Sequence, residues 1–163
     1  LVDATGSESW AYFDFETSSE VWPTNAADDV SWDVGFQRYF VKLNGGYFGA
    51  GNVAAVLLEG VTFEEVTRAP EEGWDFDRKD VAEDEDEEPE MVLGGWYHYD
   101  PSSHRLSPQP VVYVVRTAEG SFYKIEFLGY YNEAGDSGYP SFRWARVDAP
   151  ESMVEPTSEP IGG

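Results

Sequence analysis

The sequence predicts an all-β fold: a single domain of short antiparallel strands, built as a sandwich or a partly open barrel. Three observations carry this. Stretches rich in aromatic and β-branched residues alternate in polarity with period two. Glycine (16) and proline (10) recur between them and punctuate the chain. No segment of ordinary helix length joins a cap to a 3.6-residue apolar period. The 163 residues suit one domain, expected over 8–147, followed by an acidic, proline-rich tail at 148–163 expected to be disordered.

The first strand is SWAYFDF, residues 9–15, with Ala11, Phe13 and Phe15 on one face. Residues 16–30 are polar and read as a loop. Residues 31–43 read as one strand whose apolar phase changes at Gln37-Arg38. Trp32, Val34 and Phe36 precede the change; Tyr39, Val41 and Leu43 follow it on the opposite parity. A β-bulge or a bend between sheets produces such a shift. Arg38 is expected to pair with a carboxylate on a neighbouring strand, and Asn44-Gly45-Gly46 to form a tight turn.

NVAAVLL, residues 52–58, is apolar on both parities, which fits a central strand or a short buried helix. VTFEEVT (61–67) and Trp74-Asp75-Phe76-Asp77 read as further strands. Residues 80–90 carry eight acidic residues in eleven, so 79–90 is expected to be a solvated, mobile loop. MVLGGWYHY (91–99) resumes the β-pattern. VVYVVRT (111–117), AEG (118–120) and SFYKIEFLGYY (121–131) read as a hairpin. In its second strand Tyr123, Ile125 and Phe127 face one way and Phe122, Lys124, Glu126 and Leu128 the other; SFRWARV (141–147) is the last strand. The six tryptophans are expected in the core rather than as stacking platforms.

The charge excludes some partners. Thirty-two acidic residues against ten basic ones give a net charge of −22, which repels nucleic-acid backbones and anionic lipid surfaces. No apolar run approaches the roughly 20 residues of a membrane span. The absence of cysteine leaves the compartment open.

Gly135-Asp136-Ser137-Gly138 resembles the nucleophile motif of the trypsin family, but neither histidine sits in a base motif. The stretch reads as a turn, and no enzyme activity is expected. His98-Tyr-Asp-Pro-Ser-Ser-His104 is the one stretch with ligand chemistry. Turn residues Asp100–Ser103 place His98 at a strand end and His104 at the start of the next segment, where two imidazoles could bind a transition metal or a haem iron. The acidic run offers oxygens to Ca2+ but lacks the glycine and spaced ligands of an EF-hand.

Three stretches together resemble one family. They are Trp10-Ala-Tyr-Phe-Asp-Phe-Glu, then Trp32-Asp-Val-Gly-Phe-Gln-Arg-Tyr with Asn44-Gly-Gly, then Gly94-Gly-Trp-Tyr with the hairpin Val111–Arg116 and Tyr123–Tyr131. The chain over 8–147 resembles the HmuY family of haem-binding bacterial proteins, secreted or attached to the outer membrane. The resemblance implies an all-β binding protein that holds haem in a cleft between strand ends and loops and hands it to an outer-membrane receptor. It implies two axial iron ligands, His or Met, on loops before and after the Gly-Gly-Trp strand. Here the segment before Gly94 is acidic and has no histidine, so Met91 is the candidate on that side. On the other side the family position falls near Pro101, with His98 and His104 beside it. The implied location is extracellular or on the outer-membrane surface, with any lipid anchor carried upstream. The alternative is a non-haem module of the same fold that contacts a protein partner or Ca2+ through its acidic surface.

Overall fold

The computed structural model describes residues 1–78 and 90–153. The acidic run at 79–90 therefore lies outside the described residues except for Glu90, as do residues 154–163 of the expected tail. The described part is all-β, with one short 3-10 turn at Glu151–Met153.

Among the described residues, ten strands form three antiparallel sheets. They are β1 (Ala11–Asp14), β2 (Ser19–Val21), β3 (Val34–Gln37), β4 (Phe40–Leu43), β5 (Ala54–Glu59), β6 (Tyr97–Asp100), β7 (Arg105–Pro108), β8 (Val111–Arg116), β9 (Phe122–Tyr131) and β10 (Ser137–Val147). One sheet runs β2-β1-β3-β4 and a second β10-β9-β8-β5; β6 and β7 make a separate hairpin. The two large sheets share one core, and neither closes into a barrel. Phe13, Phe15, Phe36 and Leu43 from the first meet Tyr113, Ile125, Phe127 and Phe142 from the second. The other face of the second sheet buries Val56, Val112, Val114, Phe122 and Val147 under the 61–74 segment. That double burial is why NVAAVLL and VVYVVR are apolar on both parities. β5 is a strand at a sheet end, not a central one, and its outer edge is bridged by Asp75 through paired backbone bonds with Ala55.

The phase change at Gln37-Arg38 is neither a bulge nor a bend. Gln37 pairs with Phe40, so β3 and β4 form a hairpin with Arg38-Tyr39 as its two-residue loop. Arg38 takes φ 52°, a conformation that usually calls for Gly or Asn. Tertiary bonds hold it there: Arg38 N–H donates to the Ala4 carbonyl at 2.7 Å, and the Trp96 indole donates to the Tyr39 carbonyl at 2.9 Å. The Arg38 guanidinium bonds Ser137 Oγ at 3.0 Å rather than the expected carboxylate.

Residues 61–67 are a turn, not a strand. Thr62 and Glu65 form a reciprocal capping box, with Thr62 N–H donating to Glu65 Oε1 at 2.9 Å and Glu65 N–H to Thr62 Oγ1 at 3.2 Å. Trp74–Asp77 contributes a single bridge instead of a strand, and strand pairing in 91–99 begins only at Tyr97. The expected hairpin is β8–β9, closed by Gly120 at φ 87°. The turn before β10 spans 132–136, earlier than the expected Gly135–Gly138: Gly135 and Asp136 lie in it, whereas Ser137 and Gly138 already belong to β10.

The ends are stitched to the body. Val2 and Ala4 are buried and donate to the carbonyls of Pro140 and Gly138. In the segment after 147, Asp148 N–H bonds Thr67, and Ser152 bonds the Glu71 carboxylate. Trp32 and Trp96 are fully buried as expected, whereas Trp22 is 83% exposed and Trp10 is half-buried at a surface hollow.

Candidate functional site

Two hollows lie side by side where the β3–β4 turn meets the β6–β7 hairpin. The first, of about 540 Å³, is lined by Trp10, Gln37, Tyr39, Phe40, Phe48, Met91, Gly94 and Tyr97. The second, of about 610 Å³, is lined by Arg38, Tyr99, Ser103, His104, Arg105, Leu106, Tyr130, Tyr131, Gly135 and Ser137, and shares Tyr39 and Tyr97 with the first. Both volumes fall in the range of small-molecule sites. The Tyr39 and Tyr97 rings meet edge-on at 5.5 Å and partition the two.

Each wall of the first hollow has a local cause. The β3–β4 turn projects Tyr39 and Phe40, whose ring centroids lie 4.5 Å apart. Asn44-Gly45-Gly46 is a packing knot rather than a simple hairpin turn. Asn44 is fully buried; its amide donates to the carbonyls of Asp29 and Trp32, each at 2.8 Å. A Cβ on Gly46 would fall 2.1 Å from the Asp77 carbonyl oxygen, so only glycine allows that approach. The chain leaving the knot carries Phe48 to the rim, 6.4 Å from Trp10.

Behind this wall Lys42 is nearly buried. Its ammonium lies 4.0 Å from the centre of Trp10 and 5.1–5.5 Å from Tyr12, Trp32 and Phe48, and it donates to the Tyr12 hydroxyl at 3.2 Å. Burial pulls its pKa down to about 8, against the opposing charge of Asp77.

Met91 is held by Asp77. The buried Asp77 carboxylate accepts Leu43 N–H at 2.8 Å and Val92 N–H at 2.9 Å, which ties the segment beside Met91 to β4. Burial raises the Asp77 pKa to about 6, against those two bonds. Gly94 N–H donates to the Met91 carbonyl at 3.0 Å, closing a turn that leaves the thioether partly buried among aromatic rings. Such a wall fits a flat macrocycle, and a thioether is a suitable soft ligand for its iron.

The expected ligands are not gathered at one point. Met91 lines the first hollow. His104 is exposed at the edge of the second, at φ 58°, with Nδ1 2.7 Å from the Tyr99 hydroxyl. His98 is exposed and alternates with Tyr97 and Tyr99 along β6, so it faces away from the hollows those tyrosines line. The hairpin therefore does not bring the two imidazoles onto one face. Sequence reasoning missed the walls: Trp10, Tyr39 and Tyr97 look like strand-core aromatics, and Phe48 falls between the expected elements.

A cluster of carboxylates lies elsewhere. Oxygens of Asp14, Asp33 and Glu119 fall within 4.8 Å of one another. The buried pair is already engaged. Asp33 accepts Phe15 N–H at 2.9 Å and Ala118 N–H at 3.0 Å; Asp14 accepts Glu16 N–H and the Thr17 hydroxyl. Asp33 thus laces the first sheet to the β8–β9 turn, and burial raises its pKa to about 7. The cluster reads as architecture, and nothing in it supports the Ca2+ expectation.

Comparison with known proteins agrees with this architecture. The family model described as HmuY protein matches residues 7–144. The apo HmuY analogue of Tannerella forsythia has a TM-score of 0.69 at 19% identity, covering 90% of this chain and 93% of that one. A Bacteroides fragilis protein provisionally described as a lipoprotein has a TM-score of 0.64 at 20% identity, with coverage of 88% and 87%. A Bacteroides vulgatus protein provisionally described as an HmuY-like haem-binding protein has a TM-score of 0.63 at 20% identity, with the same coverage. At these identities the likenesses establish a shared fold. No curated protein sequence matches the chain.

Proposed function

This chain belongs to the HmuY family, and from that premise we propose that it binds haem or a related porphyrin, without enzyme activity, in the aromatic hollow beside Met91. The carrying observation is that hollow: a thioether set among Trp10, Tyr39, Phe40, Phe48 and Tyr97. A porphyrin buries a large flat apolar surface, and these rings supply the matching faces. Met91 is the first candidate for the iron. His104, on the adjoining hollow, is the second, and His98, facing away, the third. A location on the cell surface or in a lipid-anchored form, and transfer to an outer-membrane receptor, complete the reading; one structural relative carries a lipoprotein description.

Haemin titration followed by absorption spectroscopy in both oxidation states tests this. The expected result is a saturable, sharpened Soret band with low-spin features. In Met91→Ala it weakens by about tenfold or more, equivalent to about 1.4 kcal/mol or more. His98→Ala leaves it unchanged. A spectrum matching haemin beside an inert acidic protein would sink the proposal. The fold would then serve a protein partner through its acidic surface, a reading that the exposure of both histidines favours.

A further inference from the structure

The second hollow has a chemistry of its own. In a chain with 32 acidic residues its lining has none, yet it gathers Arg38 and Arg105. Among the described residues neither arginine forms a salt bridge, whereas Arg68, Arg78 and Arg143 all do. Arg105 lies over the Tyr131 ring, 4.0 Å from its centre. Arg38 is steered inward by its left-handed backbone and its bond to Ser137 Oγ, and Gly138 makes room for it. A Cβ at Gly138 would lie 2.8 Å from Arg38 Nη1.

Tyr130 adds the second, independent observation. Its side chain is 3% exposed, and its hydroxyl has no hydrogen-bond partner among the described residues. A buried orphan hydroxyl costs stability unless something fills its bond. The groups acting electrostatically on this phenol are Arg38, Tyr131, Tyr39 and Tyr97, and all four line the same hollow. The hollow therefore offers cations and hydroxyl donors, no carboxylate, and several tyrosine faces. An acceptor-rich anion on a flat aromatic body is its complement.

We propose that the second hollow is a binding site for a carboxylate carried on an aromatic ring system, recognised by Arg38 and the Tyr130 hydroxyl. The carboxylate could belong to a free aromatic acid or to the edge of a porphyrin. The proposal stands on this hollow and needs no iron ligand.

The test is calorimetric titration of the whole protein with two matched pairs of probes: 2-naphthoate against 2-naphthamide, and metal-free protoporphyrin against its dimethyl ester. Arg38→Gln and Tyr130→Phe are run beside wild type. Tyr130→Phe removes a hydroxyl with no partner, so its melting temperature is expected to equal or exceed wild type, which separates lost binding from lost folding. Saturable naphthoate binding that the amide lacks, weakened about tenfold by either variant, supports the site and names a free acid. If only the porphyrin pair discriminates, and the variants erase the preference for the diacid, the porphyrin edge is the occupant. If neither acid binds, if amide and ester bind as well as the acids, or if both variants bind like wild type, the proposal is overturned. Failure of haemin binding with success of the naphthoate arm would separate this inference from the haem reading.

Discussion

Asp77 carries two backbone bonds from a buried position, one to Leu43 and one to Val92, and so sets where Met91 sits. Truncation leaves two N–H groups without partners, each costing about 1–3 kcal/mol. Asp77→Ala is therefore expected to lose about 2–5 kcal/mol in chemical denaturation, and to weaken haemin binding through the displaced 91–93 segment. Asp33 acts the same way across the sheets. Its pKa of about 7 and that of Asp77, about 6, both stand above the usual 3.8. The folded state then holds protons that the unfolded chain releases, so this stability is complete below about pH 4 and declines as pH rises towards 7. Denaturation midpoints measured from pH 4 to 8 should fall across that window. Asp14→Asn, which removes the negative neighbour of Asp33, should flatten the fall. Met91, the proposed ligand, was singled out in the sequence only through its place before Gly-Gly-Trp. Its aromatic walls were not, because a strand aromatic that faces a hollow and one that faces the core share the same period.

At the level of elements, the knot at Asn44–Gly46 links the fold to the site. Gly46 has φ 60° and no room for a methyl group against the Asp77 carbonyl. Gly46→Ala is expected to destabilise by about 2–4 kcal/mol in denaturant unfolding, since both left-handed strain and overpacking act there. The β8–β9 hairpin was legible because two runs rich in β-branched and aromatic residues, VVYVVR and FYKIEF, flank Ala118-Glu119-Gly120, whose glycine supplies φ 87°. The β3–β4 hairpin was not, because Gln37-Arg38-Tyr39-Phe40 contains no turn-forming residue. Ala4 and Trp96, distant in sequence, hold that turn instead. At 61–67 a T-x-x-E capping signal was present in the sequence, and the alternation of Val61 and Phe63 with Thr62 and Glu64 masked it.

Across the whole molecule, the charge of −22 makes the compact state repel itself. Raising NaCl from 0.05 to 0.5 M shortens the screening length severalfold. The melting temperature at pH 7 is expected to rise over that range, with a smaller rise at pH 4.5, where carboxylates are partly neutral. The all-β class was legible because periodicity and turn spacing report directly on strands. The pairing of the sheets was less so, since it depends on contacts such as Phe13 with Phe142, which no local pattern encodes. The account of function rests on one placement, a porphyrin over Met91 between Trp10 and Tyr97. A crystal of the protein grown with haemin, with anomalous data collected at the iron edge, measures that placement directly. The account predicts an iron peak beside Met91 Sδ, with the macrocycle against Tyr39 and Tyr97. A peak held by His98 on the far face of the hairpin, or no ordered iron at saturating haemin, would contradict it.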